Sequence, residues 1–445
     1  MQVRILPWML STVLFILITL AAFTLAFRNF KKIYRNIRLG KKEAPVQDIG
    51  IRLKNVLLIA FGQKKMFALW KPAVLHAFIY VAFLLTQLEL IEILTDGMFH
   101  RHRVFAPLLG TFYTFLISLI ELLSLLAFVA TFIFLWRRNI LKLPRFHKAE
   151  MTTWPRLDAN LILLGELVLV LAIFTMNGGD QVLQQHLPEQ YPTTGKFAIT
   201  GWLGPMMFGH LQLSTLEMLE RTGWWLHYLV VLGFINYLPL SKHLHIFLAF
   251  PQTYFAQIKP RGSMENMPVV MNEVKSMLGL STSATNNNNA EISEFGAKDV
   301  FDLPRRVLLG AYSCTECGRC TAVCPANLTG KKLSPRKIMM DIRDRMEEIG
   351  RNLDNKKTGP NLYNDGKSLF SYILPEEIHA CTTCQACVEA CPVLIDPMEP
   401  ILELRRNEIL SQSTGPANWT AMFNSLENNG SVWPMSEPRS GWTNQ

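Results

Sequence analysis

The stretch Cys314-Thr-Glu-Cys-Gly-Arg-Cys-Thr-Ala-Val-Cys-Pro325 has a near copy in Cys381-Thr-Thr-Cys-Gln-Ala-Cys-Val-Glu-Ala-Cys-Pro392. Both follow the spacing Cys-x2-Cys-x2-Cys-x3-Cys-Pro, and together they contain all eight cysteines of the 445-residue chain. A tight loop with this spacing delivers three thiolates to one site, so the fourth thiolate comes from a more distant position. The pattern is typical of iron–sulfur ligation and predicts two [4Fe–4S] clusters.

The fourth cysteine of each run is expected to bind the other cluster, as it does in two-cluster ferredoxins. The predicted ligands are Cys314, Cys317, Cys320 and Cys391 for one cluster, and Cys381, Cys384, Cys387 and Cys324 for the other. Structural zinc is the less favoured alternative, because zinc sites usually take cysteines in separated pairs. Disulfides are also disfavoured, since a cysteine set confined to two cluster motifs does not resemble a stapling framework.

Composition divides the chain near residue 250. Hydrophobic residues make up 49% of the chain and charged residues 18%, but the long apolar runs all lie before that point. Each run approaches or exceeds the ~20 residues that a helix needs to cross a bilayer. We expect five transmembrane helices, at about residues 6–27, 73–94, 107–136, 157–176 and 223–250. The first run could also be a signal peptide, but no small-residue cleavage site precedes the basic residues 28–32, which favours a retained helix.

The loops between these runs differ in basic residues. Twelve Lys or Arg occur in residues 28–71 and six in 137–156, but only two in 100–106 and two in 177–221. Basic loops stay in the cytoplasm, which predicts a multi-pass protein of the cell inner membrane, with its N-terminus outside and everything after residue 250 in the cytoplasm. A reducing cytoplasm also suits the cysteines. The net charge of +9 therefore needs no nucleic-acid partner.

The fold class follows as an all-α membrane bundle joined to a mainly α-helical, ferredoxin-like dicluster domain. We expect residues 1–250 to form the membrane cytochrome b domain, 251–300 a polar linker centred on 281–289, 301–410 the cluster domain and 411–445 an irregular tail. The 56 residues between Cys324 and Cys381 are too many for a minimal ferredoxin, and residues 334–349 read as an inserted helix.

Three histidines in the apolar runs suggest a haem site. His227 and His245 are 18 residues apart, which is five turns of an uninterrupted helix, so they would share one face. His76 and His245 would lie at the same cytoplasmic depth, as two axial ligands of one haem b must. A histidine at a helix end can instead face lipid headgroups, and that interpretation is favoured for His243.

A second haem lacks an obvious ligand, because Thr86 and Gln87 occupy the place where a partner of His227 should stand. His227 is therefore expected to contribute to a quinone pocket with Gln87 and Glu89. Carboxyl groups at Glu121 and Glu166 are costly inside a membrane. They could carry quinol protons or bridge helices, and the residues alone leave both roles open.

Both halves resemble known families. The segment from His227 to Pro239-Leu-Ser-Lys-His-Leu-His245 resembles the last helix of the membrane cytochrome b subunit (gamma) of respiratory nitrate reductase and of heterodisulfide reductase. The cysteine half is similar to the two-cluster subunit of heterodisulfide reductase and of anaerobic glycerol-3-phosphate dehydrogenase. The resemblance covers roughly residues 5–250 and 300–405. It implies that His76 pairs with His245, and it supplies only His227 for an outer pair.

The chain departs from those families in having no Cys-Cys pair, although their catalytic modules contain Cys-Cys-Gly. The resemblance then implies an electron-transfer subunit of a quinone-linked oxidoreductase in a respiratory chain. Electrons would pass between (mena)quinone, haem b, the two clusters and a cytoplasmic partner, either a Cys-Cys-Gly iron–sulfur protein or a flavoprotein. The alternative is a non-catalytic membrane scaffold or redox sensor with a metal-binding cytoplasmic domain.

Overall fold

A computed structural model describes residues 2–44, 47–260, 262–264, 266–280, 295–356, 359, 363–433 and 440–444. Across these residues the secondary structure is helical, with no strand. The first half contains α1 Gln2–Ile37, α2 Ile49–Asn55, α3 Trp70–Phe99, α4 Ala106–Leu109, α5 Thr111–Asn139, α6 Trp154–His186, α7 Thr200–Phe208, α8 Leu213–Tyr237 and α9 His245–Phe255. The second contains α10 Pro268–Met277, α11 Arg305–Ser313, α12 Arg319–Ala322, α13 Pro325–Leu328, α14 Pro335–Lys356, α15 Pro375–His379, α16 Ala386–Ala390, α17 Met398–Arg406 and α18 Ala417–Asn429.

Four helical stretches in the described part of the chain are long and apolar enough to cross a membrane: Leu10–Ile37, Ile49–Phe99, Thr111–Asn139 and Trp154–His186. Many of their large apolar side chains point outward; Leu20 is 60% exposed and Phe115 is 62% exposed. Soluble proteins rarely expose large apolar patches to water, so lipid would cover these surfaces. The chain therefore has the character of a membrane-associated protein.

The fifth expected span, residues 223–250, is not one helix. The α-helix α8 ends at Tyr237, and two short 3-10 turns follow, Leu238–Leu240 and Lys242–Leu244, before α9 begins at His245. Pro239 has no backbone N–H to continue the helical ladder. The Ser241 side chain then accepts a hydrogen bond from the backbone N–H of His243 at 3.0 Å and starts the second turn. The face shared by His227 and His245, which the 18-residue spacing required, is therefore lost.

The bundle is built by neighbouring helices packing in turn, α3 on α5, α5 on α6, α6 on α8 and α8 on α1. Gly223 allows α6 and α8 to approach closely. A Cβ atom at this position would lie 2.7 Å from the carbonyl oxygen of Ala172 and 2.7 Å from the backbone nitrogen of Met176. No larger residue fits without moving a helix backbone.

The cysteine half packs on one end of the bundle, called here the near end, where α1 ends and α3 and α6 begin. Its core surrounds α14, which extends beyond the expected 334–349, and it includes Ile33 of α1 and Leu244 from the turn before α9. The Asn36 amide donates to the Tyr312 hydroxyl at 2.9 Å across this junction. The opposite end of the bundle, where α3 and α6 end and α5 begins, is called the far end.

The expected linker and tail contain more structure than the composition suggested. The helix α9 extends to Phe255 and packs on α11, and the Gln252 amide donates to the Leu394 carbonyl at 3.3 Å. The centre of the expected linker, 281–289, lies outside the described residues. The expected irregular tail, 411–445, contains α18, whose Trp419 ring lies 4.8 Å from the His379 ring.

Candidate redox site

The two cysteine loops have the same backbone shape. Positive φ angles occur at matching positions, at Glu316 (54°) and Gly318 (72°) in the first loop and at Thr383 (55°) and Gln385 (59°) in the second. Such angles are uncommon for residues other than glycine and are found where the surrounding structure imposes them. They turn the chain tightly enough for three cysteines to face one site. A short helix follows each loop, and these helices, α12 and α16, pack together.

The first group of thiols contains the three loop cysteines of the first motif and the last cysteine of the second. The pKa of the Cys314 thiol is raised to about 12, mainly by burial and in part by the nearby charges of Cys317 and Cys391. Burial also raises the pKa of Cys320 well above its ordinary value, with further contributions from the same neighbours. These four thiols therefore lie close together, and iron would have to displace their protons on binding.

The second group brings Cys324 together with the loop cysteines of the second motif. Cys324, Cys381, Cys384 and Cys387 all line one small cavity. The charges of Cys381 and Cys324 act on Cys387, whose pKa is raised mainly by burial. The fourth cysteine of each motif thus lies near loop cysteines of the other motif, and the exchanged ligand sets for two cubanes stay a prediction.

No three His, Cys, Asp or Glu side chains within the described residues converge as the ligands of a single metal ion do. A [4Fe–4S] cubane makes a different demand, because its four thiolates bind four separate iron atoms and stand farther apart. Backbone amides already point at the sulfurs: the N–H of Thr383 donates to Cys381 Sγ at 3.4 Å, and the N–H of Ile395 donates to Cys391 Sγ at 3.2 Å. Hydrogen bonds of this kind tune cluster potentials.

The two thiol groups face different surroundings. The first lies against the near end of the bundle, where Cys317 is close enough to act electrostatically on Arg145 and Cys391 is influenced by Lys65. The second includes Cys384, the one exposed cysteine of the eight. The order from bundle to solvent is therefore first group, then second group.

His76 and His245 meet at the near end. Their ring centroids are 6.5 Å apart. Two iron–nitrogen bonds of about 2 Å each, plus the distance from each nitrogen to its ring centre, require a separation of about 6 Å. His76 Nδ1 lies 3.1 Å from the Gln63 amide oxygen and His245 Nδ1 lies 3.0 Å from the Lys242 carbonyl. Hydrogen bonds at Nδ1 orient metal-binding histidines and leave Nε2 for the metal, so the pair fits a haem iron.

His243 has a different environment. Its ring lies edge-on to Phe234, its Nε2 is 3.9 Å from a Glu166 carboxylate oxygen, and its buried Nδ1 has no hydrogen-bond partner in the described structure. Because the ring is also 6.0 Å from that of His245, sequence spacing alone could not tell which of the two faces His76.

A cavity inside the bundle is lined mainly by apolar side chains of α3, α5, α6 and α8. Its polar lining includes Gln87, Glu166 and His227, and the His227 Nδ1 donates to the Leu169 carbonyl at 3.2 Å. Glu89 does not line the cavity, because it points into a polar cluster nearer the far end. Of the expected quinone-pocket residues, His227 and Gln87 are thus together and Glu89 is apart.

Glu121 bridges structural elements. Its carboxylate accepts hydrogen bonds from the backbone N–H groups of Ile199 (2.9 Å) and Thr200 (3.1 Å) and from the Thr200 hydroxyl. These groups form the start of α7, where unpaired N–H groups favour a carboxylate. The geometry therefore supports the bridging role for Glu121, whereas Glu166 faces the cavity.

Sequence reasoning missed one contact between the cysteine loop and the histidine turn. Lys242, whose carbonyl accepts from His245, pairs through its ammonium group with Glu316 between Cys314 and Cys317. Glu316 is buried and also contacts Arg343 at 2.9 Å. A signal was present, because a carboxylate inside a cluster loop needs a cation partner, but the sequence could not identify which cation.

A second contact involves Arg319, which directly precedes Cys320. Its guanidinium donates to the carbonyls of Lys65 (3.3 Å) and Met66 (3.4 Å). Its positive charge also interacts electrostatically with the His76 ring. The first thiol group and the histidine pair therefore share neighbours on both sides.

Comparison with known proteins supports the iron–sulfur assignment. Residues 313–395 match the family model of the 4Fe-4S dicluster domain. The chain is 26% identical to the probable iron-sulfur-binding oxidoreductase FadF of Bacillus subtilis (strain 168), over 98% of this chain and 61% of the relative. It is 25% identical to the EtfAB:quinone oxidoreductase of Syntrophomonas wolfei, over 92% of this chain and 56% of the relative.

A third relative, a probable membrane-anchored ferredoxin of Chromohalobacter salexigens, is 30% identical over 29% of this chain and 21% of its own length. No solved structure matches the chain significantly. The chain spans less than two thirds of the length of these curated relatives. By name, these relatives are a probable iron–sulfur-binding oxidoreductase, a quinone oxidoreductase and a probable membrane-anchored ferredoxin, and the cysteine half of this chain matches a dicluster domain.

Proposed function

We propose that this chain is the membrane-anchored electron-transfer subunit of a quinone-linked oxidoreductase. Electrons would pass between membrane quinone, one haem b on His76 and His245, the two [4Fe–4S] clusters and a soluble partner. The observation that carries the proposal is the continuous series of sites: bundle cavity, histidine pair, first thiol group, second thiol group and solvent-exposed Cys384.

The residues of the chain would hold and tune the cofactors, while the haem and clusters, when bound, supply the one-electron steps. Gln63 and the Lys242 carbonyl fix the histidine tautomers. Charges at Arg319 and at the Lys242–Glu316 pair lie between the haem and cluster positions, where they affect both potentials. The apolar cavity keeps water away from the membrane-embedded reaction.

Quinone is the proposed membrane reactant, because one relative is named for EtfAB and quinone and because the cavity offers polar groups in an otherwise apolar lining. His227, Gln87 and Glu166 would contact it. The soluble partner would dock near Cys384 and carry either a flavin or Cys-Cys-Gly modules, because this sequence has no Cys-Cys pair. With the basic loops inside, the cluster half would lie in the cytoplasm.

Optical and iron analysis of the purified full-length chain tests the proposal. We expect about nine irons per chain, a haem Soret band that shifts on reduction, and the broad absorption of iron–sulfur clusters. Loss of both absorptions in a protein reconstituted with haem, iron and sulfide would rule out electron transfer and leave the scaffold or sensor alternative. Haem without clusters would leave a cytochrome with no relay.

A further inference from the structure

The proposed function gives no role to a basic helix at the near end of the bundle. This helix consists of α2 and the π-helical turn Val56–Phe61 that continues it, and it is called here the 49–61 helix. It packs on α9, where the Arg52 guanidinium donates to the carbonyls of Tyr254 (2.7 Å) and Ala256 (3.1 Å). Residues 62–69 then lead from it to the start of α3. The helix is therefore held beside the bundle by its neighbours in sequence and in space.

Two opposite sides of the 49–61 helix have different surroundings. One side lines a groove whose other wall belongs to the cluster half, and it comprises Ile51, Asn55 and Ile59. The opposite side lies about 200° round the helix, because a helix turns by about 100° per residue and the two sets are two residues apart. This second side is called here the apolar stripe, and it comprises Ile49 (57% exposed), Leu53 (51%) and Leu57 (62%). The apolar stripe thus points away from the cluster half.

The chain around the apolar stripe is positively charged. Residues 49–71 contain five Lys or Arg and no Asp or Glu. Lys54 lies on the helix beside Leu53 and Leu57, and Lys64 follows three residues after the helix; both lysines are exposed. Helices with an apolar face and many basic residues lie in the plane of a membrane surface and attract anionic lipids. The segment therefore has the charge that complements an anionic lipid surface.

Tryptophans at the near end mark the level of the membrane surface. Three exposed tryptophans lie near the near-end termini of the spanning helices: Trp70 on α3, Trp136 on α5 and Trp154 on α6. A basic residue follows each of them within two positions: Lys71, Arg137 and Arg156. Tryptophan collects where a membrane meets water, and basic residues collect on its cytoplasmic side. This belt indicates where the near leaflet ends.

Contacts hold the 49–61 helix close to this belt. The ring of its last residue, Phe61, lies 4.7 Å from the ring of Phe250 on α9. The helix α9 begins at His245, whose ring lies 6.5 Å from that of His76 in the second turn of α3. Lipid that covers the exposed side of α3 is therefore close to the apolar stripe, and it can cover the stripe as well.

We propose that the 49–61 helix lies in the surface of the near leaflet and binds anionic phospholipid. The apolar stripe would lie among the acyl chains, and Lys54 and Lys64 would contact headgroup phosphates. The inference needs neither haem nor quinone, so it stands or falls apart from the proposed function. Gln63 follows the helix by two residues and lies 3.1 Å from His76 Nδ1. The lipid contact therefore also anchors a segment that orients this histidine.

The test uses the full-length protein in liposomes of equal phosphatidylglycerol and phosphatidylcholine. Photoreactive p-benzoylphenylalanine replaces one residue at a time, and mass spectrometry identifies what each position captures on illumination. Leu57 tests the apolar stripe, and Ile51, 48% exposed on the groove side of the same helix, is the matched control. Leu20 on α1 is the reference for a side chain in lipid. We expect lipid adducts at Leu57 and Leu20 and none at Ile51.

Three results would overturn the proposal. Capture of lipid at Leu20 but not at Leu57 would show that the apolar stripe does not reach the membrane. Capture of a second copy of the chain at Leu57 would assign the stripe to a contact between copies instead. Equal capture of lipid at Leu57 and Ile51 would show that the helix has no lipid side and no groove side.

A second experiment tests the headgroup contact. Phosphatidylglycerol should exceed phosphatidylcholine among the adducts at Leu57, relative to the ratio at Leu20. Lys54→Gln combined with Lys64→Gln should reduce this excess, by up to about fivefold for each lysine, because a basic residue near an anionic surface contributes that much. High salt should reduce the wild-type excess in the same direction. A ratio at Leu57 equal to that at Leu20 in the wild type, or unchanged in the double variant, would overturn the anionic-lipid assignment.

Discussion

His245 is positioned by the turn that precedes it. The carbonyl of Lys242 accepts from His245 Nδ1, and the backbone N–H of Lys242 donates to Asp158 of α6 at 3.1 Å. A carboxylate on one helix therefore fixes the ring on another. The same lysine pairs with Glu316 in the cluster loop, so a few side chains determine how the proposed haem and the first cluster are placed relative to each other.

The first prediction concerns the axial ligands. His76→Ala and His245→Ala should each abolish the low-spin haem signal in the electron paramagnetic resonance spectrum, because bis-histidine ligation fails when either partner is removed. His243→Ala should retain the signal. Loss in His243→Ala together with retention in His245→Ala would show that the other histidine of the turn binds the iron.

The second prediction concerns Lys242. Lys242→Met should destabilise the cluster half by about 3 kcal/mol, because it removes one partner from a buried ion pair and leaves Glu316 with Arg343. Urea-induced bleaching of the cluster absorbance measures the loss. Lys332→Met is the control, since Lys332 and its partner Glu376 are mainly exposed, and stability should change little. Equal effects in both variants would contradict a special role for the buried pair.

At the scale of elements, the contact between α6 and α8 and the break after α8 shape the cavity. Gly223 lets the two backbones meet, and the turns at Leu238–Leu240 and Lys242–Leu244 redirect the chain before α9. In an unbroken helix through residues 223–250, His227 and His245 would lie five turns apart on the same face. Instead, His227 faces the cavity, while His245 lies beside His76 at the near end.

The third prediction compares two glycines of α8. Gly223→Ala should destabilise the bundle by about 1–3 kcal/mol, because the added methyl meets the backbone of α6. Gly233→Ala should be neutral or stabilise it by up to about 1 kcal/mol, because nothing lies within 4 Å of its Cβ and alanine favours a helix. Thermal unfolding in detergent, followed by tryptophan fluorescence, distinguishes them. A larger loss for Gly233→Ala would contradict the packing described here.

At the scale of the whole molecule, the cluster half packs firmly on the near end. Ile33 and Leu244 from the bundle half lie in the same core as α14, and Arg336 of α14 pairs with Glu150 at 2.7 Å. This arrangement places the first thiol group next to the bundle and exposes Cys384 on the second. Under the proposed function, electrons would leave or enter the chain at that exposed position.

The fourth prediction is that this chain alone transfers electrons but turns over no substrate. The purified protein should pass electrons from menadiol to ferricyanide, and it should reduce or oxidise thiol compounds only after a separate Cys-Cys-Gly protein or flavoprotein is added. The reason is the absence of Cys-Cys pairs from the sequence. Thiol turnover at an ordinary enzymatic rate by the chain alone would refute this division of labour.

The sequence by itself determined the features that depend on local chain geometry. Cysteine spacing within a few residues specifies a cluster-binding loop because the covalent chain sets how far apart the thiols can stand. The length of an apolar run likewise specifies a possible span. These features gave the dicluster domain and four helical stretches that are long and apolar enough to cross a membrane.

Only the tertiary structure decided which side chains from distant segments meet. The pairing of Lys242 with Glu316, the turning of Glu89 away from the cavity and the contact of Arg103 with Asn177 all depend on how helices are rotated against one another. Helix periodicity predicts a shared face only while the helix is unbroken, and Pro239 interrupts it. Contacts between helices are set by packing, which local spacing does not encode.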